Sequence, residues 1–259
     1  MKDTELKRTW YSPVADIYYE ARPDYPQELI DLAIASTNLD SESKILELGC
    51  GAGNATIPFA RSNAAITCVE HNREFCFQAQ QNSKPFPKVK ICHSSFAEWQ
   101  LEKNKYDVVL SANAFYQLPQ QESYAKAADA LRDDGFIILL WNLTPELKYE
   151  IYQSVEDIFQ TYVPSLVRYE GKDTQASILK GFAQSIRDSG YFKDPVTRQL
   201  DCQITYSIEQ YINLLKTLRR IDSEVQKLFF TELREELQQW GNTVELSFIS
   251  AIHLAQKCN

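Results

Sequence analysis

The stretch Lys44-Ile45-Leu46-Glu47-Leu48-Gly49-Cys50-Gly51-Ala52-Gly53-Asn54 decides how this chain is expected to fold. A short apolar run with one internal carboxylate meets three glycines at alternate positions, and amphipathic residues resume at Ala55. That order is strand, tight loop, helix. Glycine lacks a Cβ, so such a loop can adopt positive φ and bring backbone amides close to a ligand. The 259 residues contain eight glycines, well under the roughly 7 % of average usage, and three of them are placed here. The spacing is G-x-G-x-G, which differs from the G-x-G-x-x-G that packs a helix against a dinucleotide pyrophosphate.

Outward from this loop, short apolar runs alternate with amphipathic ones. Strands are expected over 44–48, 66–70, 89–92, 106–111 and 136–141, with crossover helices over 55–61, 74–81 and 120–131. The runs are apolar without strict alternation, as in strands covered on both faces. The expected fold is therefore α/β: a doubly wound, mostly parallel seven-stranded sheet with helices on both faces and a helical cap. Pro145 closes the alternating region. Residues 1–143 form the expected core, opening with a lid over about 1–26. Residues 144–190 form a helical insert, including a helix over 178–188 that ends at Gly190. Residues 191–259 return as strands over 196–206 and 243–255, with a helical insertion over 207–240.

Composition narrows the function. Apolar residues make up 44 % of the chain and charged residues 24 %, which excludes a disordered tract. Lys+Arg 27 against Asp+Glu 35 gives a net charge of −8, and no basic run offers a footprint for nucleic acid or an anionic membrane. No apolar stretch approaches the roughly 20 residues of a membrane helix, and the first residues lack a signal-like apolar core, so a cytoplasmic protein is expected. The six cysteines (50, 68, 76, 92, 202 and 258) show no C-x-x-C spacing and read as reduced thiols. His71, His93 and His253 are too scattered to bind a metal, and none is expected. Glu70 ends the second strand 21 positions after Gly49, where a carboxylate can accept hydrogen bonds from ribose hydroxyls. Glu47, just before the glycines, suits a ligand that carries positive charge.

Residues 47–54 resemble the first motif of class I S-adenosylmethionine-dependent methyltransferases. Ser94-Ser95-Phe96-Ala97-Glu98-Trp99 and Tyr106-Asp107-Val108-Val109-Leu110-Ser111-Ala112 resemble the third- and fourth-strand motifs of the type 11 small-molecule kind. Ala15-Asp16-Ile17-Tyr18-Tyr19-Glu20-Ala21-Arg22-Pro23-Asp24-Tyr25-Pro26 is similar to the opening segment of the trans-aconitate methyltransferase-like branch. The resemblance implies S-adenosylmethionine as cofactor and S-adenosylhomocysteine as product. Gly49, Gly51 and Gly53 would wrap the methionine part together with Glu47, and Glu70 would hold the ribose. Ser95 would face the adenine amino group, Phe96 would flank the ring and offer its backbone amide, and Ala112 would also bind the cofactor. Serine at 95 departs from the acid that relatives often carry there, and Tyr116-Gln117 stands in for the His-Trp pair that follows an aromatic in relatives.

Arg22 is a candidate for the cofactor carboxylate, with a structural ion pair as the plainer reading. Tyr18, Tyr116 and Trp141 are candidates for the acceptor pocket, with Tyr116 orienting the acceptor. Trp10, Tyr11, Tyr19 and Tyr25 add to an aromatic lid. No general base stands out, which favours a small carboxylic acid as acceptor, since it is already ionised at neutral pH. The expected partner is thus a small molecule, for a monomer or homodimer. Two other readings stay open: a catalytically silent S-adenosylmethionine-binding regulatory module, and an NAD-dependent oxidoreductase.

Overall fold

The computed structural model describes residues 12–218 and 221–258. Trp10 and Tyr11, both assigned above to the lid, lie outside them. Among the described residues, eight strands form one sheet: β1 (Lys44–Leu48), β2 (Ala65–Glu70), β3 (Val89–His93), β4 (Tyr106–Ala112), β5 (Leu131–Asn142), β6 (Glu146–Leu147), β7 (Val196–Ser207) and β8 (Thr243–Gln256). Their order is β3-β2-β1-β4-β5-β8-β6, and β7 pairs with the other edge of β8. The first five strands are parallel, whereas β8 runs antiparallel to β5, β6 and β7. The eighth strand is the two-residue β6, which continues the line of β5 along β8 and falls inside the expected helical insert.

The chain leaves β1 for β2 and β3 on one side and returns to β4 and β5 on the other. The order therefore reverses between β1 and β4, the point at which open α/β sheets bind ligands beyond their carboxyl ends. Strand alternation assigns the two faces. Leu46, Leu48, Val109, Ile137, Leu139 and Trp141 share one core with α5 (Gln120–Ala130) and α7 (Gly171–Ser189). Ile45, Cys68, Leu110, Ile138 and Leu140 share the other with α2 (Gln27–Thr37) and α3 (Thr56–Ala60). Burial on both faces is why these strands read as continuous apolar runs.

A third core lies beyond the sheet. The outer ends of β7 and β8 extend past it and pack Tyr206, Val244 and Leu246 against α6 (Tyr149–Tyr162), α8 (Ile208–Leu218) and α9 (Ser223–Gln238). This helical cap stands at the carboxyl end of β5. The N-terminal helix α1 (Ala15–Ala21) lies between it, the glycine loop and α4 (Arg73–Asn82). Among the described residues, no helix is long and apolar enough to cross a membrane, and no group of three or more His, Cys, Asp or Glu could hold a metal ion.

Two boundaries differ from expectation. Strand β5 begins at Leu131, because the charged run Arg132-Asp133-Asp134 stays extended beside a register shift between Tyr106 and Val108. Helix α7 begins at Gly171, seven positions before the expected start, because a remote carboxylate caps it. Glu146 accepts hydrogen bonds from the Glu170 amide at 2.5 Å and the Gly171 amide at 3.1 Å.

Candidate functional site

The glycine loop follows β1 at the switch point. Gly49, Gly51 and Gly53 all have positive φ. A Cβ on Gly49 would stand 2.6 Å from the Ala114 Cβ, so this glycine is required by the close approach of the loop after β4. A Cβ on Gly51 would meet nothing within 4 Å, so its space opens on a cleft. Tyr18, Arg22, Tyr25, Gly49, Cys50, Gly51, Asn54, Ala112, Asn113, Asn142, Leu143 and Pro145 contribute to the cleft's lining. Its volume is about 50 Å³, well below the roughly 300 Å³ at which small-molecule sites begin. The N-terminal segment lies down over it.

Two carboxylates flank the loop. Glu47 is on the Ile45 face of β1, in register with Cys68 of β2, and is only 1 % exposed. Its Oε2 accepts hydrogen bonds from the Thr56 hydroxyl at 2.6 Å and the Cys68 thiol at 3.6 Å. Burial outweighs both and raises its pKa to about 7. Glu70, at the end of β2, accepts from the Gly51 amide at 3.0 Å and the Asn72 amide at 2.8 Å, and His71 Nδ1 stands 3.2 Å away. A carboxylate has about four lone-pair sites, so Glu70 can shape the loop and still accept from a ligand hydroxyl.

Arg22 is the single charged side chain in the lining among the described residues. Its guanidinium lies 5.0 Å over the Tyr18 ring and donates to the Thr217 carbonyl at 3.0 Å, while its Nε is buried without a partner. A half-buried guanidinium whose buried Nε is an unmet donor fits an anion. Burial, its largest cause, pushes the Tyr25 phenol well above its usual range, which makes it a hydrogen-bond donor here and not a base. Cys50 is likewise raised, by its contact with the Cys68 thiol and by burial. The six cysteines are free thiols.

Ser95 caps its own turn, accepting from the Glu98 amide and donating to the Glu98 carboxylate. Phe96 points into the core against Trp99, so its ring is not free to flank a base. Lys126 of α5 holds this turn by donating to the carbonyls of Phe96, Ala97 and Trp99.

Of the three acceptor candidates, Tyr18 lines the cleft and the other two do not. Trp141 is on the opposite face of β5 from the cleft, 2 % exposed and stacked 4.1 Å from Phe182. The two-residue period of the strand gives the cleft position to its neighbour, Asn142. Tyr116 sits on a single helical turn after β4, 51 % exposed against Trp141 and Phe182, and does not line the cleft. His253 packs inside the sheet, bonded to Thr197, with its pKa lowered to about 4 chiefly by burial.

Sequence reading missed Asn113 and Asn142. Asn142 Nδ2 donates to the carbonyls of Pro23 and Asp24, and its Oδ1 accepts from Ser250. Asn113, at φ +52, brackets the Asn142 backbone by accepting from its amide and donating to its carbonyl. The one available signal was a polar residue ending one apolar strand, β5, and another just past the end of β4.

Residues 45–135 match the protein family described as a methyltransferase domain. An uncharacterized methyltransferase of Schizosaccharomyces pombe is 29 % identical over 139 residues, covering 53 % of this chain and 54 % of the relative. An uncharacterized methyltransferase-like protein of the same yeast is 32 % identical over 136 residues, covering 52 % of each. The chain thus spans about half the length of the curated relatives it matches. Among solved structures, a chain described as a type II methyltransferase from Anaeromyxobacter dehalogenans superposes with a TM-score of 0.62 at 16 % identity, covering 91 % of this chain and 97 % of that one. Phosphoethanolamine N-methyltransferase 2 of Haemonchus contortus, solved with phosphomonomethylethanolamine and S-adenosylhomocysteine, superposes with a TM-score of 0.51 at 14 % identity, covering 88 % of this chain and 52 % of that one. These structural likenesses show a shared fold.

Proposed function

We infer, from the premise that this chain carries a class I S-adenosylmethionine-dependent methyltransferase domain, that the protein transfers a methyl group to a small molecule by in-line displacement. The observation that carries the reading is a pair of carboxylates, Glu47 and Glu70, on either side of a glycine loop whose Gly51 opens on the cleft. When bound, S-adenosylmethionine supplies a methyl group on a sulfonium, whose leaving thioether needs no acid. The residues fit such a cationic nucleoside. Glu47 would face its ammonium, Arg22 its carboxylate through the unmet Nε, and Glu70 its ribose hydroxyls. Ala112 and the bare Cα of Gly51 would leave room beside the sulfur.

What the chain contributes to transfer is positioning and exclusion of water. The cleft lining holds no carboxylate or histidine to take a proton near neutrality: Tyr25 and Cys50 are both raised, and the other polar side chains are the Tyr18 phenol, the Arg22 guanidinium and three asparagine amides. That supports an acceptor already ionised, a small carboxylic acid, in line with the trans-aconitate-like branch that the N-terminal segment resembles. Tyr18 at the cleft and Tyr116 outside it remain the aromatic candidates for contact with the acceptor.

The narrowness of the closed cleft is equally compatible with a silent module that binds the cofactor and passes on no methyl group. Calorimetry with S-adenosylmethionine, S-adenosylhomocysteine and NAD tests the main reading, for which the first two bind and NAD does not. A screen of organic acids with labelled methyl donor then separates enzyme from silent binder. Lack of binding to either sulfur nucleoside would overturn the proposal.

A further inference from the structure

We propose that Asn142 is a positioning residue that latches the N-terminal lid onto the carboxyl edge of the sheet and so governs how long a ligand stays in the cleft. The ligand's identity rests on the methyl-transfer reading; the latch itself rests on geometry. The lid is joined to three different parts of the molecule. Asn54 of the glycine loop donates to the Tyr19 carbonyl at 2.9 Å. The cap reaches it twice, through the Tyr206 hydroxyl to the Ala21 carbonyl at 3.2 Å and through Arg22 to Thr217. The sheet reaches it through Asn142, whose Nδ2 meets the Pro23 carbonyl at 2.9 Å and the Asp24 carbonyl at 3.2 Å.

Those two carbonyls belong to the short link between α1 and α2, where the lid must pivot. Helix α2 is anchored by Leu29, Ile30 and Ala33 in the sheet core, whereas α1 buries only Ala15 and Ala21. A cleft of about 50 Å³ with the lid down must widen to admit a nucleoside. The pivot therefore has to be released and remade in each binding cycle, which hydrogen bonds permit more readily than a packed core does.

Asn142 is equipped for that role. Ser250 and Asn113 hold its Oδ1 and both its backbone groups, so its amide has one orientation, with both Nδ2 protons aimed at the link. Asn113 follows Ala112 of the cleft lining, so the same pair ties the lid to the end of β4. One side chain in this way couples the lid to the end of β5 and, through Asn113, to the cleft.

Asn142→Asp keeps the shape and the Ser250 bond but turns a carboxylate towards two carbonyls. Hydrogen exchange should become at least about tenfold faster across residues 15–26, with residues 44–48 unchanged. The off-rate of S-adenosylhomocysteine, read by stopped flow, should rise about tenfold with its on-rate altered by less than about threefold. Unchanged lid exchange, faster exchange in both segments together, or a loosened lid with an unaltered off-rate would each overturn the latch. Asn142→Ser, judged by the same criteria, decides the matter if the aspartate variant does not fold. If the wild-type protein binds no S-adenosylhomocysteine, it is the methyl-transfer reading that fails, and the exchange comparison decides the latch alone.

Discussion

Glu47 sets fold against function at a single atom group. Its pKa is raised from the ordinary glutamate value to about 7 by burial, so the native state holds the proton more tightly than the unfolded chain. The stabilisation from this group is full below the unfolded value, near pH 4.5, and is lost as pH rises through 7, a difference on the order of 3 kcal/mol. Urea melts at pH 5 and pH 8 should show that loss in the wild-type protein and its absence in Glu47→Gln. A bound ammonium reverses the preference, because it favours the carboxylate. Affinity for S-adenosylmethionine should then increase from pH 6 to 8 with release of a proton, and calorimetry in buffers of different ionisation heat should detect that release. The neighbouring glycines divide along the same line. Gly49→Ala combines φ +67 with a 2.6 Å contact and should cost the fold about 2–4 kcal/mol. Gly51→Ala, at φ +54 in open space, should cost the fold about 1–2 kcal/mol while placing a methyl group in the cleft and weakening ligand binding at least tenfold.

Elements reveal a dependence that residues alone do not. The turn over 94–99 has no helix or strand to fix it; it is held by Lys126, a residue of α5, bonded to three carbonyls and lying over the rings of Phe96 and Trp99. Lys126→Met keeps the apolar stem and removes the donors, and should cost about 2–3 kcal/mol in urea melts with the largest gain in hydrogen exchange over 94–99. Such links explain which elements could be read from sequence. Strand β1 matched residue for residue, and β2, β3 and β4 matched to within one, because apolar runs between glycine, asparagine and proline are local signals. The opening of α7 was not legible, since the Glu146 cap that permits it lies 25 positions away. Trp141 shows the same limit inside the site. Its size and strand-end position drew attention, but alternation along β5 turns it to the far face and leaves Asn142 at the cleft. The acid-glycine-acid pattern was legible because all its parts lie on two adjacent strands and one loop; the latch was not, because its partners are 118 and more positions apart.

At the scale of the whole molecule, the question is whether the cap is an appendage or part of one cooperative unit. Strand β8 answers it structurally. Its residues 250–256 pair with β5 in the sheet, while Val244 and Leu246 belong to the cap core, and β7 accompanies it over twelve consecutive pairs. A cap that unfolded separately would have to break that ladder in the middle of both strands. The lid adds a second tie, since it is bonded to the cap as well as to the sheet. Phe229 tests this linkage, being fully buried on α9 against Phe159 and Phe230 and far from the glycine loop. Phe229→Ala should cost about 3–5 kcal/mol. In a cooperative molecule that loss displaces one transition, with coincident midpoints for tryptophan fluorescence and far-ultraviolet circular dichroism. Separate midpoints, with the sheet's transition where it is in the wild-type protein, would show that the cap folds by itself. The lid would then be held by the sheet and the glycine loop alone.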